Sequence, residues 1–143
     1  MARASKTSQS DPAPAAGMTL NQLLEMTQVD FELDFFGRIL ERHPAFFEAL
    51  RAHASNLAAT TRYSESLQVE RRIIQIRPGD ALAHYNLACS YALLKQADLA
   101  LTTLRRALEL GYHDFRYIHK DRDLDSIRRD PRFKKLLREF EER

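Results

Sequence analysis

From position 31 to position 110, apolar residues recur at the three- and four-residue spacing of helices, and the pattern then repeats itself. Leu33, Phe36, Ile39 and Leu40 form one apolar stripe. Laid over itself at a period of about 34 residues, the chain superimposes like on like. Leu33, Leu67 and Leu101 align, as do Ile39, Ile73 and Ala107, and Leu40, Ile74 and Leu108. Pro44 and Pro78, where helices should stop, align with Tyr112. The pattern predicts two helix pairs, Phe46 to Thr60 with Ser64 to Ile76, and Ala81 to Lys95 with Asp98 to Leu110.

Punctuation agrees with this layout. Thr19 and Gln22 fit a capping box opening a short helix from Leu20 to about Thr27. Asp80 and Asp98 are placed to cap the two helices of the second pair. Gly79 and Gly111 stand just past helix ends, where a left-handed residue closes the last turn. Asp130 followed by Pro131 starts a final helix with Phe133, Leu136, Leu137 and Phe140 on one face.

Two stretches resemble the tetratricopeptide repeat (TPR). The clearer runs from Ala81 to about Asp114, with His84, Leu87, Ala88 and Tyr91 on its first helix and Ala100, Leu104 and Ala107 on its second. The copy from Phe47 to Asp80 keeps Leu50, Ala54, Leu57, Ser66, Ile73 and Pro78, but has His53 and Glu70 where apolar residues are expected. The two departures are complementary, and they are expected to meet in a hydrogen bond across the pair. The resemblance implies an all-α fold, a short TPR solenoid of antiparallel helix pairs with N- and C-terminal helical caps. Its parts are a disordered tail over 1–18, a capping half-repeat over 19–44, repeats over 45–80 and 81–114, and a closing segment over 115–143 like that following the last repeat in bacterial TPR proteins. Leu124, Ile127, Phe133 and Leu137 should bury that segment against the second pair.

Composition narrows the chemistry. The formal charge is +2 over 143 residues, too little for the concentrated field of a nucleic-acid binder. The N-terminal stretch is rich in Ala, Ser and Pro and lacks the apolar run of a signal peptide or membrane span. With Cys89 the single cysteine, no internal disulfide can form, and a reducing cytoplasm is the expected home. No two of the five histidines stand at helical ligand spacing, and no phosphate loop or nucleophile elbow is present. The expectation is therefore a protein without metal, cofactor or catalysis.

In the TPR family the first helix of each pair lines a concave groove, and clamps for carboxylate-ended peptides draw basic and amide groups from set positions there. Carried onto this chain, those positions are Arg51, Ser55, Asn86, Arg116 and Lys120, with Ser55 standing where the family has Asn. Tyr85, Cys89, Ala92 and Leu93 add aromatic and apolar area beside them. The function implied is an adaptor or scaffold holding a protein or peptide, with an acidic or carboxylate-ended segment as the suited ligand. The rivals are a self-assembling homodimer and a holding chaperone.

Overall fold

The computed structural model describes residues 19–143, and the expected tail over 1–18 lies outside the described residues. Seven α-helices and one 3-10 turn make up that span, with no strand among the described residues. They are α1 (Leu20–Arg42), α2 (Phe47–Ala59), α3 (Tyr63–Ile76), α4 (Ala81–Leu93), α5 (Ala97–Glu109), α6 (Phe115–Lys120), the 3-10 turn Arg122–Leu124, and α7 (Pro131–Glu141).

The capping box closes as read: the Gln22 N–H donates to Thr19 Oγ1 at 3.3 Å, and the Thr19 N–H donates to Gln22 Oε1 at 2.9 Å. The helix it opens does not stop near Thr27, however. Neither Gly nor Pro interrupts the chain between Thr19 and Gly37, so the short leading helix and the half-repeat stripe fuse into the single helix α1.

The two pairs, α2 with α3 and α4 with α5, turn on the same device. Thr61 (φ 62°) and Lys95 (φ 61°), equivalent positions in the two repeats, take the left-handed conformation. The following Arg62 and Gln96 N–H groups donate back to Leu57 O at 2.8 Å and Tyr91 O at 2.9 Å. Each turn thereby satisfies carbonyls that the helix end leaves open. Gly111 (φ 104°) closes α5 in the same way. Gly79 is not left-handed. Pro78 has already ended α3, with the Arg77 N–H donating to Ile73 O at 2.8 Å, and the chain passes through Gly79 to the Asp80 cap. Asp98 is likewise not a cap. Helix α5 starts at Ala97 behind Gln96, and Asp98 sits inside its first turn, where its carboxylate meets Arg132 at 2.6 Å.

Two apolar clusters fill the molecule. One joins α1, α2 and α3 around Leu33, Leu40, Leu50, Leu57 and Ile73. The other joins α4 and α5 to everything after Gly111. Leu124, Ile127, Phe133 and Leu137 are all buried in it, as their spacing predicted. Polar groups lock this closing segment. The Arg128 guanidinium donates to the carbonyls of Ile118 (3.1 Å), His119 (2.7 Å) and Asp121 at the end of α6. Ser126 Oγ donates to Ala92 O at 2.7 Å, and Arg105 pairs with Glu139 through two bonds of 3.2 and 3.0 Å.

His53 and Glu70 do not meet. The His53 ring lies against α1, its Cε1 3.8 Å from where a Cβ on Gly37 would stand. Glu70 instead contacts Ser66, one turn earlier on its own helix, at 3.3 Å. Both His53 Nδ1 and Glu70 Oε2 are buried without a partner.

Candidate partner-binding groove

The first helices of the two pairs face each other across a concave cavity of about 430 Å³. Helix α2 contributes Arg51, Ala54, Ser55 and Ala58, a stripe at helical spacing. Helix α4 contributes Leu82, Asn86, Cys89 and Leu93 opposite, while Glu70 and Ile73 of α3 reach the wall between them. One end is closed by Tyr112, Tyr117, Asp121 and Asp123.

Of the residues assigned to the groove from sequence, Arg51, Ser55, Tyr85, Asn86 and Cys89 all line this cavity. Arg116 and Lys120 are exposed on α6 and stand outside its wall. The reason is helical phase: Tyr117 and Asp121, four apart, turn toward the cavity, so Arg116 and Lys120 fall on the neighbouring face, about 100° round. Arg51 is also committed elsewhere. Its guanidinium pairs with Asp80 at 2.8 Å and stands 4.9 Å from the centre of the Phe47 ring. The five-position carboxylate clamp is therefore not assembled; in its place the closed end presents carboxylates.

Those carboxylates are held by an ordered set of bonds. Tyr85 Oη donates to Asp121 Oδ2 at 2.5 Å, and Cys89 Sγ donates to the same oxygen at 3.7 Å. Asp121 Oδ1 accepts the Asp123 N–H at 3.0 Å, capping the 3-10 turn. The Tyr85 ring stacks on Tyr112 with centroids 4.2 Å apart and planes 5° off parallel, and Tyr117 leans over the stack at 6.2 Å from Tyr85. Burial, and then the Asp121 charge, raises the Cys89 thiol well above its ordinary range, so it is a protonated core group rather than a nucleophile. Burial raises Tyr85 also, reinforced by Cys89 and Asp121. Tyr112 is pushed up to about 12, chiefly by burial.

Glu70 is raised to about 7 by burial, with the Ser90 and Ser66 hydroxyls drawing it partly back. Ser66 Oγ shares its one hydrogen between Ala54 O at 2.9 Å and Glu70 Oε1 at 3.3 Å, so Glu70 receives only a weak bond and burial prevails. Asp123 is raised by burial and then by the charges of Asp121 and Asp125.

Cys89, Asp121 and Asp123 bring ligand-type atoms within 4.8 Å of one another. These atoms are joined in a hydrogen-bonded network, in which Asp121 Oδ2 accepts from Tyr85 and Cys89 and Oδ1 accepts from the Asp123 N–H. Sequence reasoning missed Glu70, Tyr112, Tyr117, Asp121 and Asp123 as groove residues. The four-residue spacing of Tyr117 and Asp121 was a readable signal of a shared face, but its alignment with Tyr85, 36 residues earlier, exists only in the fold.

No family model matches the chain. It is 36% identical over 84 residues to a chloroplastic protein of Arabidopsis thaliana, a stretch covering 57% of this chain and 25% of that protein. The chain thus spans a quarter of that relative's length. Among solved structures it is similar to the chain named "MamA RS-1 ArsTM double mutant", with a TM-score of 0.60 and 21% identity, covering 85% of this chain and 71% of that one. MamA is a TPR solenoid, and the likeness gives this chain a TPR-type helical-repeat fold.

Proposed function

We propose that the chain is a non-catalytic interaction module that takes a polypeptide segment into the groove between α2 and α4. The observation that carries this reading is the cavity itself: concave, walled by the first helices of both repeats, and mixing small apolar residues with Asn86, Ser55 and tyrosines. Such a surface buries a segment's apolar side chains while polar groups fix its orientation. Cys89 as a buried thiol and Tyr85 as a buried phenol suit holding a ligand rather than attacking one. No helix among the described residues is long and apolar enough to cross a membrane. The cytoplasm suits this reading, and so does a plastid, the compartment in the name of the Arabidopsis relative.

An array of random-sequence peptides probed with the full chain tests the reading. Peptides should bind, and Ser55→Arg, which projects a long side chain from an exposed position of the wall, should abolish binding with the melting temperature unchanged. Binding that survives Ser55→Arg would move the partner surface elsewhere.

One observation favours a second reading, self-association. Leu24, Phe31 and Phe35 of α1 are largely exposed, and Phe31 stacks on Phe35 at 6.1 Å. Light scattering should then show a dimer that Phe31→Ser with Phe35→Ser converts to a monomer; a wild-type monomer at all concentrations would remove this reading.

A further inference from the structure

The groove wall carries three carboxyl groups from different parts of the chain, Asp121 at the mouth of the 3-10 turn and Asp123 within it at the closed end, and Glu70 of α3 in the adjoining wall. Among the described residues in the cavity wall Arg51 is the one cation, and it is already paired with Asp80. Negative charge at the closed end thus lacks a countercharge from within the wall. Neighbouring carboxylates disfavour one another's ionised form, as the raised Asp123 shows, and a cation placed beside them favours it.

Glu70 gives a separate sign of a missing partner. It is 6% exposed, it lies in the cavity wall, and its Oε2 makes no hydrogen bond. A buried carboxyl oxygen left unsatisfied costs folding free energy unless something supplies a donor. Tyrosine faces complete the picture. Tyr117, 44% exposed, overhangs the Tyr85–Tyr112 stack beside the same carboxylates. Acceptor oxygens together with electron-rich rings are the surroundings that an ammonium or guanidinium group prefers, and that a carboxylate avoids.

We infer that this end of the groove takes a basic side chain, lysine or arginine, from the polypeptide bound there, with Asp123 and Glu70 as its acceptors and Tyr117 packed against it. The inference rests on the groove being the partner site. Asp121 serves as the fixed anchor, since Tyr85, Cys89 and the Asp123 N–H already occupy its oxygens. The recognition logic is the reverse of a carboxylate clamp: charge on the protein is negative, and the partner's is positive.

Titration of the isotope-labelled full chain, followed by amide resonances, tests it. The probes are three blocked peptides identical except for a central Lys, Arg or Glu, and, separately, zinc sulfate. The Lys and Arg peptides should give saturable shifts at Tyr117, Asp121 and Asp123, and the Glu peptide none. Asp123→Asn and Glu70→Gln, each with an otherwise unchanged spectrum, should each weaken the cationic peptides by about five- to tenfold, the scale of one charge-assisted hydrogen bond. Preference between Lys and Arg then identifies the cation, and either preference supports the inference. Equal shifts with all three peptides would overturn it while leaving the groove as a peptide site. Silence of the groove amides with every peptide, together with a blank array, would overturn both. Zinc shifting these amides while the cationic peptides do not would overturn it in favour of a metal at Cys89, Asp121 and Asp123.

Discussion

The two repeats share one frame and fill it differently. Position for position, Leu87 of the second repeat stands where the first has His53, Ala100 where it has Ser66, and Leu104 where it has Glu70. The second repeat is apolar at all three, with Leu104 and Ala100 fully buried, and its cluster runs on into the closing segment. The first repeat buries a serine and a carboxyl group at the corresponding places, and leaves Glu70 Oε2 and His53 Nδ1 without partners. Both repeats still form the same helix pair with a left-handed residue at the same turn position. Backbone repetition sets the frame, while departures from the repeat change what fills it: Glu70 departs and lines the cavity.

The largest expected effect breaks the better-packed half. Ending the chain after Gly111 removes Ile118, Leu124, Ile127, Phe133 and Leu137 from the second cluster and uncovers Leu104. Calorimetry should show loss of cooperative unfolding or aggregation; an unchanged transition would make the closing segment dispensable.

Single substitutions at the matched pair sharpen the contrast. Leu104→Ala should cost roughly 2–5 kcal/mol in urea unfolding, as a cavity in a filled core does. Glu70→Leu, at the equivalent position, should instead raise stability at pH 8, where the buried carboxyl group is ionised at a cost. Equal losses at both sites would show that Glu70 is as well accommodated as Leu104.

The same carboxyl group predicts a pH trend. Its folded value is raised to about 7. Between the ordinary glutamate range and about 7 the folded state holds a proton that the unfolded state has lost, so stability falls as pH rises through this window and levels off above it. The full span is about 3 kcal/mol. Glu70→Gln should flatten the curve, and a wild-type curve with no decline would contradict the burial of an ionisable Glu70.

His53 pulls the other way and more weakly. Burial, with Arg62 also contributing, lowers its value, so its contribution is present above the ordinary histidine range and is lost as pH falls through the depressed one. His53→Leu should remove a small acid-side loss in the same unfolding series; an unchanged acid limb would leave His53 without influence on folding.

The smallest effects concern the turns. Thr61→Gly and Lys95→Gly should each stabilise by up to about 1 kcal/mol, with the β-branched Thr61 gaining more, because glycine adopts positive φ without a Cβ clash. Loss of stability at either would show that its side chain does more than tolerate the turn.

The fold was largely legible because its signals are local and repeated. The apolar period placed both helix pairs, and Asp80, Asp130 with Pro131, and the Thr19 capping box lie where their short-range chemistry put them. Failures came where local rules compete. Gly79 follows a proline that has already stopped the helix, so its freedom is unused, while Thr61 and Lys95 take left-handed positions that their residue types do not advertise. The groove was half legible. Arg51, Ser55, Tyr85, Asn86 and Cys89 could be placed from the repeat because they belong to it. Arg116 and Lys120 could not, since α6 lies beyond the repeat and its phase is set by Ile118 packing into the second cluster. The acidic end was hidden because Glu70, Asp121 and Asp123 are brought together only by the docking of the closing segment.

The decisive measurement is a crystal structure of the full chain with the strongest-binding peptide from the array. The peptide should run between α2 and α4, with a lysine or arginine nitrogen within about 4 Å of Asp123 or Glu70, the distance of an ion pair. A peptide seated on the exposed apolar face of α1, or on the outer helices α3 and α5 with the cavity left empty, would contradict it.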